Sequence, residues 1–160
     1  METKKMEGIA GFTRLFRDEM IGLPEKSIVV FTGSNAVCAP FAELLAYSIR
    51  DRKFDLFFSP MAEEKDCRAL LWREGTGYSI SQTGKEVAGA VSVVVLGGLA
   101  MPKFGCPVEK VQQFIDKASK PGAVKVIGVG FMEIFKRSGW HTHIKFDALI
   151  NAKLETEKQI

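Results

Sequence analysis

Residues 91–107 read VSVVVLGGLAMPKFGCP, and this stretch decides the fold. The run from Val91 to Leu96 is short, continuous and β-branched, so it predicts a strand buried on both faces. It empties into Gly97 and Gly98, then a loop holding Met101, Pro102 and Lys103, then Cys106 and Pro107. A helix should follow over residues 108–118, with Val108, Val111, Ile115 and Ala118 facing inward. Pro107 and Glu109 suit its first turn, and Lys117, Lys120, Pro121 and Gly122 suit its end. A buried strand, a glycine-bearing loop and a helix are the local geometry in which α/β proteins hold ligands.

Working back toward the N-terminus, Ile9, Phe12, Leu15, Phe16 and Met20 recur at helical spacing and predict an amphipathic helix over about 9–21. Gly22, Leu23 and Pro24 end it. Ile28 to Thr32 reads IVVFT, a second run without polar alternation and hence another buried, central strand. It ends in the turn from Gly33 through Ser34 and Asn35 to Cys38 and Pro40. A helix follows to about Arg50, with Phe41, Leu44, Leu45 and Ser48 on one face. Phe54 to Phe58 is a further strand. Residues 62–73 read as a charged surface helix with Cys67, Leu70 and Leu71 inward. Tyr78 to Ser81 alternates as a short, half-exposed edge strand.

Beyond the organising stretch, Val124 to Gly130 is a buried strand and Phe131 to Ser138 a short helix stopped by Gly139. Ile144, Phe146, Ala148 and Ile150 alternate as a last strand, and the polar tail begins near Lys153. Strands alternating with helices give the α/β class. The expected architecture is a Rossmann-like, open, mostly parallel sheet with helices on both faces, in a single domain over residues 1–160. The Ile28 and Val91 strands lie near its middle.

The chain's 160 residues carry a net charge of only +3, with acids interspersed among the bases as in KKMEG, RDRKFD and EEKDCR. That is a solvated mixed surface rather than the clustered basic face of a nucleic-acid binder, so no nucleic-acid partner is expected. The apolar runs are strand-sized and no secretory pattern opens the chain, so no membrane partner is expected and a reduced cytoplasmic setting follows.

If the two central strands are neighbours where strand order reverses, two loops face one crevice. Gly33, Ser34, Asn35 and Cys38 belong to one, and Gly97, Gly98, Met101 and Lys103 to the other. Helix N-termini behind them and the Lys103 charge favour an anionic guest: a phosphate, a nucleotide or a carboxylate. Met101, Phe104, Phe131, Met132 and Phe135 are candidates for an apolar lining, a lid or a dimer contact. No G-x-G-x-x-G fingerprint and no G-x-x-x-x-G-K-[ST] loop is present, and no acid ends the Phe58 strand to hold a ribose, so no cofactor is named.

Cys38 and Cys106 each precede a helix, where the dipole lowers a thiol pKa, and are candidate nucleophiles for a thiol-dependent enzyme. Cys106, between Gly105 and Pro107, is the better placed of the two; small packed residues are the favoured alternative for both, and Cys67 reads as core. Glu43 and Glu133 are candidate acid–base groups or simple dipole compensation. His141 and His143 would share a side on an extended segment, yet no third ligand lies nearby, so a turn is the better reading and no metal is assigned. A third functional class is a homodimer built on the excess apolar residues.

The segments VCAPFAELLAYSIRD, VVVLGGLAMPKFG and VIGVGFMEIFKRSGW resemble an uncharacterised protein family of methanogenic archaea, a domain of unknown function. The likeness runs from about Ile28 to Ile150, with GGLAMPK its most specific piece. It implies a Rossmann-like, cytoplasmic archaeal protein and carries no established catalytic residues.

Overall fold

The structure, a computed structural model, describes residues 2–160. Seven strands form one sheet: β1 (Ile28–Gly33), β2 (Asp55–Pro60), β3 (Cys67–Arg73), β4 (Gly77–Lys85), β5 (Ser92–Leu96), β6 (Lys125–Phe131) and β7 (Ala148–Ala152). The order across the sheet is β4-β3-β2-β1-β5-β6-β7. The five strands β2, β1, β5, β6 and β7 are parallel, and β3 and β4 complete the sheet as an antiparallel hairpin. The Ile28 and Val91 segments are therefore direct neighbours, with Val30 opposite Val93 and Phe31 opposite Val94. Strand order runs outward from β1 in both directions, which puts the reversal between β1 and β5 and meets the condition on which the sequence reading places the crevice.

Four α-helices accompany the sheet: α1 (Gly8–Met20), α2 (Ala39–Ser48), α3 (Val108–Ala118) and the single turn α4 (Ile134–Arg137). Alternate residues of the central strands feed two separate cores. Val29, Phe31, Val94 and Ile127 pack with Phe16 and Met20 of α1 and Leu45 of α2. Val30, Val93, Val95 and Val126 pack with Val111, Phe114 and Ile115 of α3 and Phe135 of α4. A strand with both faces covered by helices has no polar alternation, which is why β1 and β5 read as continuous apolar runs. The few buried hydroxyls are paired. Thr32 Oγ1 donates to Ser59 O at 2.9 Å and accepts from Ala62 N at 3.0 Å, tying β1 to the turn after β2.

Three elements depart from the sequence reading. Residues 62–73 do not form a helix: Cys67–Arg73 is β3. Cys67 and Ala69 face one core and Leu70 the other, an alternation of period two. The Glu63–Asp66 charges form the turn before β3 instead of a helical face. Pairing with β2 on one side and β4 on the other outweighs the helical propensity of the segment. Gly75 and Gly77, both at positive φ (76° and 99°), close the hairpin, and β4 extends well past Ser81 as the edge strand. The last strand begins at Ala148, not at Ile144. Ile144 and Phe146 are loop residues that pack in the second core. The helix expected from Phe131 shrinks to α4, because Met132 and Glu133 both adopt left-handed φ (53° and 60°).

No helix among the described residues is long and apolar enough to cross a membrane.

Candidate functional site

Three loops meet at the carboxyl ends of β1, β5 and β6. After β1 the chain turns through residues 34–38 with Ala36 at φ 62°, and α2 starts at Ala39. Two amides of this turn are already used: Val37 N donates to Asn35 O and Cys38 N to Ser34 O. After β5 come two 3₁₀ turns, Gly97–Ala100 and Pro102–Phe104, and Gly105 at φ 63° hands the chain on toward α3. After β6 the left-handed pair Met132 and Glu133 swings the chain into α4. Among the described residues, five of the seven non-glycine residues at positive φ (Ala36, Met61, Ala62, Met132 and Glu133) lie in loops after strand carboxyl ends. Such conformations cost on the order of 1–2 kcal/mol each and are concentrated at the end of α/β folds that carries sites.

The loops enclose a cavity of about 420 Å³, within the roughly 300–1,000 Å³ range of small-molecule pockets. Its walls are apolar. Phe41 of α2 and Phe131 of β6 sit 4.9 Å apart between ring centroids, and Phe12 of α1 backs Phe131 at 5.6 Å. Val37, Leu96, Val129, Met101 and Ile134 continue the lining, and Met132, half exposed, stands in it. Two charged residues line it, Lys103 and Arg137, both exposed. Neither has a carboxylate partner among the described residues. Lys103 Nζ lies 5.1 Å over the Phe104 ring, and Arg137 Nε donates to Met132 O at 2.8 Å.

Of the residues singled out from the sequence, Cys38, Gly97, Gly98, Met101 and Lys103 line this cavity together. Phe131 and Met132 join them, whereas Phe104 and Phe135 do not; Phe135 is in the second core against Phe146 and Trp140. Gly33 and Ser34 are buried behind the wall. The Ser34 hydroxyl lies 3.2 Å from Cys38 Sγ, fully buried and outside the lining. Asn35 is exposed on the turn and outside the lining.

The glycines serve close packing of protein on protein. A Cβ at Gly33 would stand 2.4 Å from Cys38 Cβ. At Gly98 it would stand 2.4 Å from Cys38 Sγ, and at Gly97 2.5 Å from Ile134 Cγ2. What the sequence reading missed in the third wall is Val129, from β6, the parallel neighbour of β5, and Arg137, from α4. The signal was present in VIGVGF, a buried strand next in order, whose carboxyl end must open on the same side.

Cys106 lies outside the cavity, half-buried against the second core, and burial raises its thiol pKa above the ordinary value. The expected lowering at a helix start is therefore reversed. Desolvation is the largest influence, and Glu63, which raises the pKa, counters the lowering by Lys110. Cys67 is core, pushed up to about 11 by burial.

Glu133 is tied down at both ends. Its backbone N–H donates to Asn151 Oδ1 at 2.7 Å, and its side-chain Oε1 accepts from Asn151 Nδ2 at 3.0 Å. It clamps the turn after β6 to β7. Glu43 is half-buried on α2 outside the lining, its carboxyl pushed up by desolvation. His141 and His143 sit on the 3₁₀ turn Trp140–Thr142 and its cap, not on an extended segment, and their Nδ1 atoms contact the carbonyls of Phe135 and Gly139. Among the described residues no group of three or more His, Cys, Asp or Glu side chains is placed to hold a metal ion.

Comparison with known proteins places the chain. Residues 7–155 match the DUF2124 family, described as an uncharacterised protein conserved in archaea, and the chain belongs to that family. An uncharacterised protein of Methanocaldococcus jannaschii is 40% identical over 141 residues, covering 88% of this chain and 80% of the relative. One of Methanothermobacter thermautotrophicus is 34% identical over 153 residues, covering 95% and 94%. The crystal structure of a protein of unknown function from M. thermautotrophicus superposes with a TM-score of 0.87 at 29% identity, over 100% of this chain and 97% of that one.

Proposed function

We propose that this protein binds a small anionic molecule in the crevice at the carboxyl ends of β1, β5 and β6. One observation carries the reading: a cavity of ligand size opens where strand order reverses, and the charges lining it, Lys103 and Arg137, are both positive and both lack an acidic partner. An uncompensated pair of cations beside a hollow attracts an anion at modest cost, because neither side chain must first break an ion pair. The left-handed residues Ala36, Met132 and Glu133 beside the mouth support it, since strain held in two of its loops is retained where geometry is needed.

The test is a thermal-shift screen of phosphates, nucleotides, flavins, coenzymes and carboxylates. A ligand present at one hundred times its Kd stabilises the folded state by about 2.7 kcal/mol. For a domain of this size that raises Tm by roughly 5–10 °C. A hit whose shift disappears in Lys103→Gln or Arg137→Gln supports the reading. No shift with any class at millimolar concentration refutes it.

A further inference from the structure

The chemistry of the walls narrows the class of ligand, on the premise that the crevice does bind an anion. A nucleotide needs partners for a base edge and for ribose hydroxyls, and in α/β folds the ribose partner is an acidic side chain. The cavity offers no such group. Its lining contains no carboxylate, carboxamide or hydroxyl side chain. Ser34, the nearest hydroxyl to the lining glycines, is fully buried with Cys38 Sγ as its partner. Glu133, in the loop beside the cavity, has its carboxylate bonded to Asn151 and Lys136. A polar ligand body would leave its hydrogen-bonding groups unmatched, which costs more than the contacts return.

A hydrocarbon body meets no such penalty. Phe41 and Phe131 form an aromatic wall, Leu96, Val129 and Ile134 an aliphatic one, and Met101 and Met132 supply unbranched, adaptable side chains that mould to varied apolar shapes. The charges are confined to the exposed residues Lys103 and Arg137. We infer that the crevice binds an amphipathic anion: a hydrocarbon chain or ring system among Phe41, Phe131 and the methionines, with its carboxylate or phosphate between Lys103 and Arg137.

Titration calorimetry on the intact protein tests this with hexanoate, octanoate, decanoate, decyl phosphate, decanol and adenosine monophosphate, each below its micelle concentration. One-to-one binding of decanoate or decyl phosphate is expected. Affinity should rise by about fourfold per methylene from hexanoate to decanoate, the value for a methylene fully removed from water. Decanol should bind at least about fivefold more weakly than decanoate, and Lys103→Gln should weaken decanoate by a similar factor. Val37→Trp places a large side chain at an exposed lining position and should abolish binding without disturbing the core. A stronger response to decyl phosphate than to decanoate identifies a phosphate head, and the reverse a carboxylate; either keeps the inference. Binding of adenosine monophosphate that Val37→Trp removes, with no binding of the decyl compounds, overturns the inference while the anion-binding reading stands. Several amphiphiles bound per chain, or no dependence on chain length, also overturns it. No binding by any compound overturns the inference, and the anion-binding reading is then decided by the wider thermal-shift screen.

Discussion

Replacing Gly98 with alanine tests the construction of the site wall directly. The backbone of Gly98 is outside the left-handed region, so alanine is conformationally allowed there, and the obstacle is space. Its Cβ would lie 2.4 Å from Cys38 Sγ and 2.6 Å from Ser34 Oγ. Both atoms belong to short, buried side chains, so relief requires Cys38 to change rotamer toward the cavity it lines or the Gly97–Ala100 turn to shift. Overpacking of this kind costs about 1–3 kcal/mol, or roughly 2–12 °C in Tm for a domain of this length. The same substitution in a Ser34→Ala, Cys38→Ala background meets neither atom. Its nearest remaining contact of those three is Ser34 Cβ at 3.6 Å, an ordinary van der Waals distance. There the lost freedom of the unfolded chain dominates and Gly98→Ala should be neutral or stabilising by about 0.4–1 kcal/mol. The sign of one substitution thus reverses with its background, a coupling far beyond the roughly 0.3–0.5 kcal/mol scatter of independent sites. Urea denaturation of the four proteins measures it. An equal cost of Gly98→Ala in both backgrounds would refute the packing role assigned to Cys38 and Ser34.

Other consequences can be checked separately. Arg17 holds Asp51 down from 3.8 to about 2 through a two-armed guanidinium–carboxylate pair. A depressed carboxylate contributes stability that is complete above its unfolded pKa and lost as pH falls from about 4 to 2. Asp51→Asn should therefore flatten the acid limb of stability in that window and leave the neutral-pH dependence unchanged, as followed by circular dichroism. Cys106 and Cys67, with raised thiol pKa values, should both react with iodoacetamide at pH 7.5 more slowly than glutathione, by mass spectrometry. A faster reaction at Cys106 would revive it as a nucleophile. Asn151→Ala should destabilise by about 1–2 kcal/mol, because it removes the acceptor of the Glu133 N–H at a left-handed residue. Glu133→Gln, which keeps both the backbone N–H and a side-chain oxygen acceptor for Asn151, should cost less in the same urea titration.

The parts of the fold legible in the sequence are those whose burial is nearly complete. IVVFT and SVVVL carry no polar residue on either face except Thr32 and Ser92, and both hydroxyls are satisfied by neighbouring carbonyls. Their adjacency was a condition of the sequence reading, since apolar runs do not fix strand order, and the β1–β5 pairing meets it. Residues 67–73 misled because CRALLWR offers apolar residues at both helical and strand spacing, and only the partners β2 and β4 decide between them. Ile144 and Phe146 misled in the opposite way. Their alternation is real, but both side chains serve a loop that fills the space above Gly128, where a Cβ would stand 2.9 Å from Phe146 Cε1. The cavity was half legible: the loops after β1 and β5 were identified, with Cys38, Met101 and Lys103, while Arg137 was not. Its place depends on the left-handed Met132 and Glu133, and nothing in their side chains announces a positive φ.

The glycines show most clearly how the same sequence signal can serve opposite ends. In phosphate-binding α/β proteins, glycine at the strand-to-helix turn lets a ligand approach the backbone, and recognition rests on main-chain donors. Here Gly33, Gly97 and Gly98 let Cys38 and Ile134 approach the backbone instead. Two amides of the first turn are spent on that turn's own carbonyls. The wall so formed is apolar and closed, so on the proposed reading attraction for an anion would pass to side chains at the opening. Lys103 and Arg137 are exposed, and exposed charges are screened within about 8 Å at physiological ionic strength. A site built this way draws little specificity from charge. If the proposed ligand binds there, discrimination would fall to the shape of its apolar body between Phe41 and Phe131, the part of the crevice that salt does not weaken.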